Sequence, residues 1–462
     1  MHTVYSQRHS VASSLNSQPL HTVYGGAHLF RADTAQKLGL LAVRSLLENT
    51  SDCFEFGEAV GLPEVREFPG SKNGRMSLLR RFMKFGEKAK HIHPAGFLAY
   101  SMYERVLHKL RTEPVEDYRI DFEDGYGIRS DEEEDKDAAA AADETVQAMS
   151  KGLLPKYFGI RVKPFSHTGK ERSRRTLEIF LSRLNQQSSG TLPGNFVVNL
   201  PKVRNAEDVA WCTQLIQALE QRFVFPPGSI GLELMVEMPA VISGDAGQNA
   251  LRALHAASEG RCRAMHLGLY DFLSSLDVVS SQQEYVHPLT DHLRSVTKSA
   301  LAGTDIRISD GATNTIPVGP NKGEHLTPAQ RKANRTAVHA GWAKVFAHVT
   351  HSLRMGIYQG WDLHPSQFPP RYAAVFALFL RERDGAVVRM RAFLERAAQA
   401  TLRGQQFDDI ATGQGLLHFF QRGVACAALN EEEVKSAGLT IELLQSKSFA
   451  EIVTATRREH SQ

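Results

Sequence analysis

The chain has 462 residues, of which 42% are hydrophobic and 23% charged, enough apolar material for a large core and too little charge excess for a disordered chain. Its 54 Lys and Arg nearly balance its 51 Asp and Glu, so bulk charge implies no nucleic-acid partner. No stretch has the length of a continuous apolar membrane span, and the first residues lack a secretory apolar segment. Cys53, Cys212, Cys262 and Cys426 have no CxxC spacing that would make a zinc knuckle or a dithiol. These features together predict a cytoplasmic protein with reduced thiols and no membrane partner.

In chain order, residues 1–20 read as a polar arm, and the echo of "HTVY" at 2–5 and 21–24 is too short to define a repeat. "TAQKLGLLAVRSLLENT" has helical apolar spacing, whereas "FPGSKNGRMS" reads as a turn-rich connection. From Tyr118 onward, short apolar runs alternate with helical stretches: "YRIDFED", "FGIRVKPF", "NFVVNLPKV", "GLELMVEMP", "MHLGLYDFL", "DIRISDG" and "IYQGWDLHP". This alternation predicts a parallel sheet with helices outside. An earlier strand near "KHIHP" would complete an α/β fold of the (β/α)8 barrel type, with N-terminal and C-terminal helical extensions. The expected boundaries are an arm and helical segment at 1–88, the barrel at 89–388, and a helical extension at 389–462. A doubly wound sheet is disfavoured because no strand-to-helix turn carries GxGxxG.

Each expected strand ends in polar residues, and a parallel barrel gathers those ends on one rim. The candidates are Asp121, Glu123 and Asp124; Arg161 and Lys163; Lys202; Glu237; Asp271; Asp310; and Asp362 with His364. Glu237 and Asp271, on successive strand ends, offer two hard oxygen ligands, and waters and a substrate could complete the six positions that Mg²⁺ prefers. Arg161 has the planar fork that reads a carboxylate. The bland alternative is that these charges merely neutralise one another.

The ordered set "IDFEDGYG", "IRVKPF", "NLPKV", "LMVEMP", "HLGLYDF" and "WDLHPSQF" resembles the citrate lyase β-subunit-like branch of the HpcH/HpaI aldolase family, which is similar to malate synthase in barrel and chemistry. The resemblance covers residues 118 to 370. It implies a Mg²⁺-dependent (or Mn²⁺-dependent) carbon-carbon lyase or aldolase acting on a 2-oxo or hydroxy acid, with a CoA thioester as one substrate form, in a homo-oligomer of the trimer or hexamer kind. By motif it assigns Glu237 and Asp271 as metal ligands, Arg161, Glu123 and Asp124 as catalytic residues, and Lys202 as a cofactor-binding residue at the barrel mouth. The chain departs from the family in its length and in "FEDGYG" where "LEDAV" is more usual.

Two other readings compete. A condensing enzyme similar to malate synthase would use the same enolate chemistry in the opposite direction. The basic stretches "RMSLLRRFMKFGEKAK" and "KERSRRTLEIFLSRL" could instead serve a nucleic-acid or protein partner. His91, His93, His348 and His351 are weak zinc candidates, without HExxH or a closed ligand set. The base for proton removal is left open among Glu123, Asp124, a bound water and His364.

Overall fold

In the computed structural model, residues 18–165, 169–243, 249–402, 410–445, 448–449 and 451–452 are described. The first copy of "HTVY" and most of the expected N-terminal arm lie outside these residues. The described residues form two compact units, one within 19–51 and 107–371, the other within 18, 52–106 and 372–452.

The first unit holds a closed barrel of eight parallel strands in sequence order, β1 His21–Gly26, β2 Asp117–Asp121, β3 Tyr157–Arg161, β4 Phe196–Leu200, β5 Gly231–Val236, β6 Cys262–Leu267, β7 Arg307–Ala312 and β8 Gln359–Asp362. β1 closes the ring by pairing with both β2 and β8. The (β/α)8 fold expected from the strand and helix rhythm is the fold observed.

The first strand is not where the sequence reading puts it. Residues Gly86–Ile92, which include "KHI", form a 3-10 helix, and the opening strand is "HTVYGG". "KHIH" has no apolar face to bury, whereas Val23 is buried on the outer face of β1 and Thr22 lies in the barrel interior. "FPGSKNGRMS" is likewise no mere connection. The Ser71 side chain accepts from the Gly74 amide at 3.1 Å and caps a helix over Lys72–Phe85, so its turn residues start a helix.

Polar side chains fill the barrel. Arg119 donates to both carboxylate oxygens of Glu233 at 2.8 Å and to Asp117, and all three are fully buried. Below them Thr22 donates to Asp117 at 2.9 Å, and Gln359 donates to Thr22 at 2.8 Å. Charges this deep persist only when paired and hydrogen-bonded. On the outside, the acidic helix Asp131–Ser150 lies against the basic helix Gly169–Ser188. Arg172 and Arg175 pair with Asp135, and Arg183 pairs with Asp143. Most of the positive charge of "KERSRR" is therefore answered within the fold.

The second unit is helical where described. It includes Cys53–Val60, Lys72–Phe85 and Ile410–Ala425. Arg383 bridges Glu87 and Glu433, at 2.7 and 2.6 Å. The four cysteines are buried, and none forms a disulfide among the described residues. No helix among the described residues is long and apolar enough to cross a membrane.

Candidate active site

β2 ends at Asp121, and its carboxylate folds the turn that follows. Oδ1 accepts from the Glu123 amide at 2.9 Å and Oδ2 from the Gly125 amide at 2.7 Å. Gly125 is required at this point, since a Cβ there would stand 2.6 Å from Asp121 Oδ2. The same carboxylate grips Arg161 on β3 through Nε and Nη2, both at 2.6 Å. Asp121 and Arg161 are register partners, so the fork is set by strand pairing.

One edge of Arg161, Nε with Nη2, is thus committed to Asp121, and its Nη1 reaches Glu123 Oε2 at 3.0 Å. The other Glu123 oxygen accepts from Lys202 Nζ at 2.8 Å. Burial pushes the Glu123 carboxyl up, against the pull of Arg161 and Lys202. Asp124 lies in the turn with 66% of its side chain exposed, 3.8 Å from Lys202.

Lys202, just beyond β4, adopts a left-handed backbone with φ of 49°, unusual outside glycine and common at functional turns. This turn aims its amide at Glu237 Oε1, 2.6 Å away. Its ammonium also lies 3.5 Å from Asp271 Oδ1. Burial alone would lower the Lys202 ammonium, but Glu123, Glu237 and Asp271 outweigh it and hold it above its usual range.

Glu237 follows β5 and is 2% exposed. Burial, then repulsion from Asp271, pushes its carboxyl up to about 7. Gly268 makes room for it, because a Cβ there would meet Glu237 Oε2 at 2.2 Å. Asp271 does not end a strand as expected: Gly268 terminates β6 and Asp271 sits in the first turn of the helix Leu269–Ser275, with 43% of its side chain exposed.

The six sequence-derived residues Arg161, Glu123, Asp124, Lys202, Glu237 and Asp271 are therefore linked through Lys202 and Arg161. Others on the rim are engaged elsewhere. Lys163 pairs with Glu134 at 2.7 Å, and Asp310 with Arg294 at 2.8 Å. Asp362 binds His21 and Arg371. His364 Nδ1 is held by Ser366 at 2.7 Å, and the ring lines a separate groove of about 560 Å³ with Arg44, Arg331 and Arg335. His348 stacks on Tyr285, His351 pairs with Asp291, and His93 accepts from the Gly96 amide.

Among the described residues, no group of three or more His, Cys, Asp or Glu is arranged to hold a metal ion. The pair Glu237 and Asp271 is smaller than such a group, yet its chemistry suits a hard divalent cation. Both side chains end in hard oxygens that lie against Lys202, at its amide and its ammonium, and Glu237 holds a proton up to about neutral pH where a cation could replace it.

Two residues that the sequence reading left out complete the site. Tyr24 on β1 and Trp361 on β8 lie beneath the Arg161 guanidinium, 4.7 and 5.7 Å from it. Alternation along "HTVYGG" and "QGWD" puts both rings inside the barrel once those segments are known to be strands.

A family model described as a domain of unknown function, DUF6986, matches residues 6–452. The chain belongs to the DUF6986 family. No curated protein matches the chain. The DUF6986 chain is similar to the crystal structure of a citrate lyase from Burkholderia xenovorans, with 17% identity and a TM-score of 0.49 over 73% of this chain and 92% of that one. It is also similar to Haloferax volcanii malate synthase in a magnesium and glyoxylate complex, with 12% identity and a TM-score of 0.40 over 78% of this chain and 93% of the other. The lead(II) complex of that malate synthase is similar at 14% identity and a TM-score of 0.40, over 60% and 68% of the two chains. The architecture of the DUF6986 chain rests on its own closed barrel rather than on these distant likenesses.

Proposed function

We propose that this protein is a divalent-metal-dependent carbon-carbon lyase or aldolase acting on a 2-oxo or hydroxy acid, with a CoA thioester as one form of the substrate. The observation that carries the reading is the gathering of Glu123, Asp124, Glu237 and Asp271 around Lys202, with Arg161 beside them. Carboxylates outnumber cations there, which favours a bound cation, and the two positive side chains favour an anionic substrate.

Glu237 and Asp271 would hold Mg²⁺ or Mn²⁺. When bound, the ion would supply Lewis acidity to the carbonyl and carboxylate oxygens of an oxo acid. The chain's own groups divide the remaining work. Arg161, locked by Asp121, presents a fixed positive charge to the substrate carboxylate through its Nη1 side. Lys202 holds Glu123 in place and adds a second positive charge at the mouth. In cleavage, an acceptor among Glu123, Asp124 and an ordered water takes the substrate hydroxyl proton. The hydroxyl carbon becomes a carbonyl, the adjoining carbon-carbon bond breaks, and its electron pair passes to the oxo acid as an enolate, which a proton then quenches. His364, tied to Ser366 and lining a different groove, is a weaker candidate for that proton.

A panel of 4-hydroxy-2-oxo acids and of malyl- and citramalyl-type CoA thioesters, with and without Mg²⁺, tests the reading through release of pyruvate or glyoxylate. Metal-dependent turnover that is lost in R161A and E237Q is expected. Turnover of thioesters alone would select CoA lyase chemistry, and release of free CoA on mixing an acyl-CoA with glyoxylate would favour the condensing enzyme. No turnover of any panel member despite metal binding would overturn the lyase reading.

A further inference from the structure

Tyr24 and Trp361 form the layer directly under Arg161. β1 and β8 are in register at Thr22 and Trp361, so alternation sends Thr22 and Tyr24 from one strand, and Gln359 and Trp361 from the other, into the barrel. The two ring centroids are 4.4 Å apart. Beneath them Trp361 Nε1 donates to His266 Nδ1 at 3.1 Å, and the Tyr24 hydroxyl lies 3.5 Å from the same nitrogen. An indole N–H can only donate, so Nδ1 is the acceptor, and Nε2 faces Glu233 at 3.1 Å. This arrangement fixes the angle of the indole.

Tyr24 and Trp361 are partly exposed, while Arg119, Glu233, His266 and Gln359 below them are buried. Their uncovered surface accordingly lies on the side away from those buried residues, beside the Arg161 guanidinium that stands over part of both rings. An apolar surface at the bottom of a charged cup adds nothing to metal or carboxylate binding. It gains free energy when carbon covers it.

We propose that Tyr24 and Trp361 are an aromatic floor that receives the carbon substituent of the substrate, so that the protein selects oxo or hydroxy acids bearing an alkyl or aryl group over the smallest members of the class. The proposal rests on the oxo-acid reading above and names the substrate subclass. Trp361 is a specificity residue, and His266 is a positioning residue acting through it.

Calorimetric titration of the Mg²⁺-loaded protein with pyruvate, 2-oxobutyrate, 2-oxopentanoate and phenylpyruvate tests it, with tryptophan emission followed in parallel. Trp342 is fully buried and Trp211 packs on Phe165, so an emission change that disappears in W361F reports the floor. Affinity should rise about threefold to fourfold per added methylene. W361A should flatten the series while pyruvate still binds, and W361F should retain most of it, which a merely structural role for the ring would not do. A flat series in the wild type, or an equally steep one in W361A, overturns the floor and leaves the oxo-acid reading standing. Binding of none of the four acids overturns both.

Discussion

Glu237 holds a carboxylate where burial and Asp271 both oppose its charge. Its pKa rises from 4.5 to about 7 in the folded protein, so the folded state binds the proton more tightly than the unfolded one. The resulting stability is fully present below the unfolded value and is lost as pH rises through about 7, a swing on the order of 3 kcal/mol for this one group. Denaturant unfolding of metal-free protein should therefore show stability falling across that window. The slope should shrink in E237Q and on addition of Mg²⁺. Asp121 is bound through both oxygens: it accepts from Nε and Nη2 on one edge of Arg161 and from two backbone amides, so D121A leaves that edge of a buried guanidinium without its partner and unties the turn. A loss of about 3–5 kcal/mol is expected from equilibrium unfolding, larger than that of D124A, whose side chain is mostly in water.

Strand ends and the turns after them decide whether these residues meet. Gly268 has an ordinary φ of −90°, so its requirement is steric: G268A would drive a methyl group into Glu237. Mg²⁺ affinity should fall about tenfold or more by calorimetry, with the circular dichroism of the barrel unchanged. β2 to β8 were legible in the sequence because each is a short apolar run ending in a polar residue. β1 was not, since "HTVYGG" is brief, mixed in polarity, and separated from β2 by Asp52–Val106, which belongs to the other unit. The same difference applies to the site. Glu123, Lys202 and Glu237 could be read from their place after strands, because all parallel strands deliver their ends to one rim. The grip of Asp121 on Arg161 could not, because it depends on the register between β2 and β3, which residue spacing along the chain does not give. Nor could the aromatic layer, since one of its rings stands on the strand that went unrecognised.

At the scale of the whole barrel, the interior is an ion-filled plug beneath an aromatic layer. Arg119 answers two buried carboxylates, Asp117 and Glu233, so R119M should lower stability by about 3–5 kcal/mol in denaturant unfolding. Replacing all three by apolar residues of matching volume should restore much of that loss, because the cost lies in the orphaned charges. On the lyase reading proposed above, the plug leaves the rim that carries Lys202 and Asp124 as the doorway, so the fragment nearer that rim leaves first and the deeper piece waits behind it. The order of departure is then set by depth rather than by how tightly each piece is held, and the last one out, added back from solution, will compete directly with fresh substrate.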